Sequence, residues 1–257
     1  MKSIVWRVDH SHMKLGAKAP VFDKRTLQLG RYLASNQLPA PPASVDFESR
    51  VPSWGVMLND RIGDCGVAGY GHAVLQQSTY SGKPYMPTDA GVLGAYSAIS
   101  GYDPVTGRND NGVVLLEALK YFRSQGVDGH KLSAFAAVHP TDLRETMQAV
   151  TLFGGLYVGL ALPACAQYQD VWDVPWYGPL WYGRPGSWGG HCVYVVGYGS
   201  GGLTCVTWGS LKRLTWSFWR SYCVEAYALL SPDWFNGRNV APNGLDLNTL
   251  TRDLSLI

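Results

Sequence analysis

The spacing of apolar positions changes character part-way along this chain. Val113-Val-Leu-Leu-Glu-Ala-Leu-Lys-Tyr-Phe122 has apolar residues at i, i+3, i+4 and i+7 and stops short of Gly126, which predicts a helix. A second helix is expected from Cys65, carrying Ala68, Tyr70, Ala73, Val74 and Gln77. Its glycines at 66, 69 and 71 cost about 1 kcal/mol each relative to alanine, which a buried helix bears when neighbours approach its backbone closely. Ala90 to Ile99 reads as helix, and Thr141 as the cap of another through Leu143, Met147 and Val150. Ser133 to Val138 reads as a strand. From Gly155 onward the pattern is that of strands rich in Val, Tyr, Leu and Cys: Leu156–Leu162, His191–Tyr198, Leu203–Trp208 and Cys223–Leu230. Helices first and strands later predict an α+β chain with two lobes and a cleft between them.

The ends are less patterned. Residues 1–50 read as an arm with little regular structure, apart from a short helix at Thr26 to Ala34 offering Leu27, Leu29 and Leu33 for docking. Pro39-Ala-Pro-Pro42 then forces an extended path. Nothing in the arm reads as a cover for an active site, so it is not expected to be an inhibitory pro-segment. The main domain is placed at 51–231, helical over about 51–130 and strand-rich over about 131–231. A tail at 232–257 has Leu245, Leu247, Leu250 and Leu254 spaced for a short docking helix.

Composition narrows the class. The 257 residues can bury a substantial core. A net charge of +2 with mixed signs and no Lys/Arg run argues against a nucleic-acid partner. The five cysteines (65, 165, 192, 205 and 223) are odd in number and lack short paired spacing, against a disulfide framework or a four-cysteine zinc site. Asp9-His10-Ser-His12 reads as solvated rather than as a metal site, and neither metal nor cofactor is expected. The first ten residues hold no apolar stretch of the kind a secretory signal needs, and the longest uncharged run, Thr146 to Gln169, is broken by glycines and a proline. A cytoplasmic, reducing location without a membrane span is expected, with virion association or release by lysis as the variant.

The chemistry centres on Asn59-Asp-Arg-Ile-Gly-Asp-Cys65-Gly. A thiol in the first turn of a helix meets backbone N–H groups and the positive end of the dipole, which favour thiolate. His72, about 10 Å further along the same face, is too far away to be its base and reads as a packed histidine. The better partner is His191, 126 positions downstream of Cys65, at the head of the strand Gly189-Gly-His-Cys-Val-Tyr-Val-Val-Gly-Tyr-Gly199.

With these segments on the page, residues 45–231 resemble the papain-like cysteine peptidases, and are similar in particular to papain-like proteins of phages and prophages. Cys65-Gly66 opening a helix, Asn111-Gly112-Val113 before another, His191 through Gly199, and Val206-Thr-Trp-Gly209 carry the resemblance in that order. It implies a papain-like two-lobe fold, with a central Cys helix in the helical N-terminal lobe and a β-barrel-like C-terminal lobe. It also implies Cys65 as nucleophile, His191 as its partner, Asn59 as oxyanion donor in place of the family's Gln, and Gly112 and Val113 pairing with an extended substrate. Gly190, Trp188 and Trp208 complete the implied substrate side. The family's asparagine that orients the histidine is missing. Its place falls at Thr207 or Val206, and Thr207 is chosen because it can accept the imidazole N–H. Asp64 replaces a small neutral residue before the nucleophile; it can cap the helix, while its charge opposes thiolate formation.

Two functions follow. The first is a thiol hydrolase of peptide bonds in proteins or bacterial cell-wall peptides. In it a Cys65–His191 ion pair pulls the thiol several units down from about 8.5. The second is a fold that has lost catalysis and serves as a virion-structural or protein-binding component. The loop 172–188, with Trp172, Trp176, Trp181 and Trp188, is the expected partner surface, or else folds inward.

Overall fold

The structure, a computed structural model, describes residues 8–33, 40–235 and 240–243. The expected tail helix, with Leu245, Leu247, Leu250 and Leu254, lies outside the described residues, as do Ala34 and Pro39.

In chain order, strand β1 (Leu27–Gln28) leads into helix α1 (Leu29–Leu33), and β2 (Val45–Asp46) precedes α2 (Cys65–Tyr80), α3 (Asp89–Ser100) and α4 (Leu115–Ser124). Then come β3 (Ala134–Val138), α5 (Leu143–Phe153), β4 (Leu156–Leu162) and β5 (Val171–Trp172). The chain closes with β6 (Gly189–Gly199), β7 (Gly202–Thr207), β8 (Ser210–Thr215), α6 (Trp216–Tyr222) and β9 (Cys223–Leu230). One sheet takes the order β1-β3-β9-β4-β6-β7-β8-β5, and β2 pairs with β6 beyond the end of β4. Most pairs are antiparallel; β1–β3 and β5–β8 are parallel.

Alternation along the strands gives the sheet two apolar faces, as half of each strand's side chains point each way. One face, including Tyr157, Tyr194, Val196 and Leu229, packs on α2, α3 and α4. The other, including Val158, Val193, Val195 and Ala228, packs on α5 and α6. Residues 65–78 of α2 are buried all round, as expected of a helix apolar on every side. Its glycines do admit close neighbours: a Cβ on Gly71 would lie 2.3 Å from Met57 Sδ.

Several expected elements shift. The predicted helix at 113–122 begins at Leu115, because Val113 is extended and pairs with Ala17. Asp142, not Thr141, caps α5, accepting from the N–H of Glu145. Asp64 precedes α2 but makes no capping bond. β8 and α6 were not expected; the two exposed residues at the start of β8, and the tryptophans of α6, hide their periods.

Candidate active site

Two elements bring the site together. The head of α2 lies against β6, and Cys65 Sγ accepts a hydrogen bond from the backbone N–H of Cys192, the residue after His191, at 3.3 Å. Cys65 thus lies against the backbone of β6 at the residue that follows His191, although the two are encoded far apart. Both are buried. His191 Nε2 lies 2.6 Å from Thr207 Oγ1 at the end of β7, and its Nδ1 is buried without a hydrogen-bond partner. Trp208 stacks on the His191 ring at 4.5 Å between centroids and shields that bond from water.

Asn59 is buried nearby, but its amide is turned to Ile62 O at 3.4 Å rather than toward an oxyanion. Asp64 is fully buried, and neither of its oxygens makes a well-formed hydrogen bond. Burial pushes its carboxyl up to about 8, with the Asn59 amide pulling part-way back. Burial thus favours the protonated form of Asp64, and its charge, where present, opposes the thiolate.

The cleft is not open. Residues 14–18 lie across it as a strap. Val113 N–H donates to Gly16 O at 2.8 Å, Lys18 N–H to Val113 O at 2.9 Å, and Ala17 N–H to Gly190 O at 3.0 Å. Trp208 Nε1 donates to Lys14 O at 3.0 Å, and His10 stacks on the Trp208 ring at 5.4 Å. The positions expected to hold substrate (Gly112, Val113, Gly190 and Trp208) thus hold the chain's own arm, with Trp188 tilted against Trp208 at 5.7 Å. This overturns the expectation that the arm covers nothing, and His10 is half-buried on an aromatic face rather than solvated. Glycine makes the strap fit. A Cβ on Gly16 would stand 1.8 Å from Gly63 O, and one on Gly112 would stand 2.0 Å from Gly16 O.

Closure sets the electrostatics. Burial pushes the Cys65 thiol up to about 12, against N–H groups of Cys192, Gly16 and Gly66 that pull the other way. Burial also pulls His191 down to about 3, with the neighbouring charge of His72 adding to it. The low thiol pKa expected from the sequence is not present with the strap in place, because water is excluded from both partners. His72 is a packed histidine, with Nε2 2.7 Å from Gly55 O.

The aromatic loop divides. Trp172 is buried and Trp188 partly so, whereas Trp176 is 95% exposed and Trp181 78% exposed. Sequence reasoning missed the strap, His10, and the pair Tyr96–Asp110 behind the cleft wall. The small residues Gly16-Ala17 are the one signal from which a close backbone approach could have been read.

Solved structures share this fold. Xylellain, a cysteine protease from Xylella fastidiosa, superposes with a TM-score of 0.63 over 85% of this chain and 96% of its own, at 11% identity. The fold is papain-like. Digestive procathepsin L 3 of Tenebrio molitor matches over 86% of this chain and 76% of its own (TM-score 0.56, 15% identity). A cysteine protease of Carica candamarcensis matches over 74% of this chain and 98% of its own (TM-score 0.53, 14% identity). No family model matches the sequence, and no curated protein does. Among the described residues no helix is long and apolar enough to cross a membrane.

Proposed function

We propose that this chain is a papain-type thiol hydrolase of peptide bonds, held latent by its own residues 14–18. The observation that supports the reading is the Cys65–Cys192 contact, which holds the thiol against the residue following His191, whose Nε2 lies on Thr207. The papain-like fold of the matched proteases supports it.

The strap survives because of what it presents. The N–H of Gly16 faces the sulfur, while the Gly16 carbonyl is committed to Val113. When the strap leaves, water reaches both partners and the proton of Cys65 passes to the free Nδ1 of His191. Thr207 meanwhile accepts from the Nε2–H and fixes the tautomer. The thiolate then adds to a peptide carbonyl, and the backbone N–H of Cys65 stabilises the oxyanion, joined by Asn59 if its amide turns from Ile62. The tetrahedral adduct collapses to a thioester as His191 gives its proton to the leaving amine. Water, deprotonated by His191, hydrolyses the thioester and restores the thiol.

A second reading, a non-catalytic binding component, draws on the amide of Asn59 being engaged elsewhere and on the exposed Trp176 and Trp181 as a partner surface. Release of fluorophore from peptide substrates separates the two, measured on the full chain and on a Gly16→Ala variant whose added methyl clashes with Gly63. Hydrolysis by Gly16→Ala that disappears in Gly16→Ala/Cys65→Ala supports the hydrolase. No turnover of any peptide by the unmasked variant favours the binding component.

A further inference from the structure

Behind the cleft wall, a single carboxylate oxygen joins two loops that sequence order keeps apart. Asp110 Oδ1 accepts from the Gly63 N–H at 2.8 Å and from the Tyr96 hydroxyl at 2.7 Å. The same hydroxyl accepts from the buried Gly112 N–H at 3.0 Å. Gly63 lies two residues before the nucleophile, and Gly112 directly before the residue that pairs with the strap. These are the two backbones between which Gly16 is wedged. The chain Gly63 N–H to Asp110, Tyr96 to Asp110, Gly112 N–H to Tyr96 therefore spans the slot from one wall to the other.

We infer that Tyr96 and Asp110 form a clamp that fixes the width of the slot over Cys65 and so decides that only a bare backbone, such as that of Gly16, can lie in it. The two are positioning residues, since neither touches the thiol or the imidazole. Tyr96 is fully buried on α3 and its ring is held against Tyr102, so the hydroxyl has little freedom to follow a moving loop. Gly112 has φ 71° and keeps that conformation through its bond to Tyr96. An Asp110 carboxylate accepting two donors on one oxygen is a stronger tie than two separate neutral bonds. The oxygen also fills the space beside Gly63, lying 3.1 Å from where a Cβ would stand. Neither wall can retreat while these bonds hold.

This inference deepens the hydrolase reading by naming what sets the slot's width, and its first test does not require turnover. The full chain is treated with iodoacetamide at pH 7.5, and modification of each cysteine is followed by mass spectrometry. Half-buried Cys165, outside the slot, serves as the internal standard. Tyr96→Phe and Asp110→Ala are expected to raise the Cys65 rate about ten-fold, the order of one lost hydrogen bond, while the Cys165 rate stays unchanged. Asp110→Asn keeps an acceptor oxygen and is expected to stay near wild type. Gly16→Ala, with the clamp intact, supplies the rate of an unseated strap. The clamp falls if Tyr96→Phe and Asp110→Ala leave Cys65 at its wild-type rate, or raise Cys65 and Cys165 together as general loosening would. In the Gly16→Ala background, Tyr96→Phe should raise KM about ten-fold with little change in kcat, whereas a purely structural role would lower melting temperature and leave KM alone. Faster labelling without hydrolysis by any variant would keep the clamp and remove the hydrolase reading.

Discussion

The strap over the thiol and the aromatic loop are held in opposite ways. The strap at 14–18 brings small or ordinary side chains and is fixed almost wholly through its backbone, on Val113, Gly190 and Trp208. The loop around 176–182 brings Trp176, Tyr177, Trp181 and Tyr182, yet Trp176, Trp181 and Tyr182 point into solvent, the tyrosine 71% exposed. Aromatic mass drew attention to the loop, while main-chain pairing put the strap in the cleft. A backbone that pairs needs no distinctive side chain, so its role leaves almost no trace in composition.

Experiments can break that contrast, beginning with the residues beneath the strap. Thr207→Val removes the acceptor for His191. In the strap-released background, peptide hydrolysis should fall about 100-fold, with melting temperature little changed; a loss under threefold would show that Trp208 stacking alone orients the ring. Next comes the strap itself. Lys18→Pro deletes the N–H that donates to Val113 O, and should raise Cys65 alkylation about ten-fold. An unchanged rate would mean that side chains, not the backbone, hold the strap.

A smaller effect is expected at Asp64. Its folded-state value, near 8, lies above the ordinary carboxylate range, so the stability it contributes is fully present below about pH 4 and fades as pH rises through 8. Asp64→Asn should therefore match wild type in melting temperature below about pH 4 and exceed it at pH 9, where Cys65 alkylation should also run a few-fold faster. Equal melting temperatures at pH 9 would show that the carboxylate is already charged at neutrality. His191 runs the other way. Its depressed value, about 3, gives stability present above about pH 6.5 and lost as pH falls toward 3. The smallest effect belongs to the aromatic loop. Trp176→Ala with Trp181→Ala should leave Cys65 alkylation within twofold of wild type, because exposed side chains away from packed features change stability little.

Much of the frame was legible because it rests on period and on a few obligatory residue types. The four strands expected at 156–230 lie within a residue or two of β4, β6, β7 and β9, since their alternation is strong. Cys65 at a helix start and His191 in β6 could be read from chemistry plus order along the chain. Thr207 stands against His191 in space, and Val206 beside it points into the core that packs on α2. What could not be read has a common cause. The strap, the Tyr96–Asp110 pair and the turned amide of Asn59 all depend on which backbone groups come close in three dimensions. Lys14-Leu-Gly-Ala-Lys18 has no period, and Asp110 sits in a turn-rich stretch where any polar residue looks alike. The raised thiol and lowered imidazole follow from the same closure, which residue types alone do not encode.

The meeting of Gly16, Gly63 and Gly112 has a further consequence. A fit cut from main-chain atoms has no rotamers with which to yield, so a single added methyl at Gly16 or Gly112 is refused outright rather than accommodated in part. Graded control over how tightly the arm sits has to come from its flanks, where Leu15, Lys18 and His10 can vary by degrees. Evolution can tune the ends of this fastening freely, but its centre only by keeping it or discarding it.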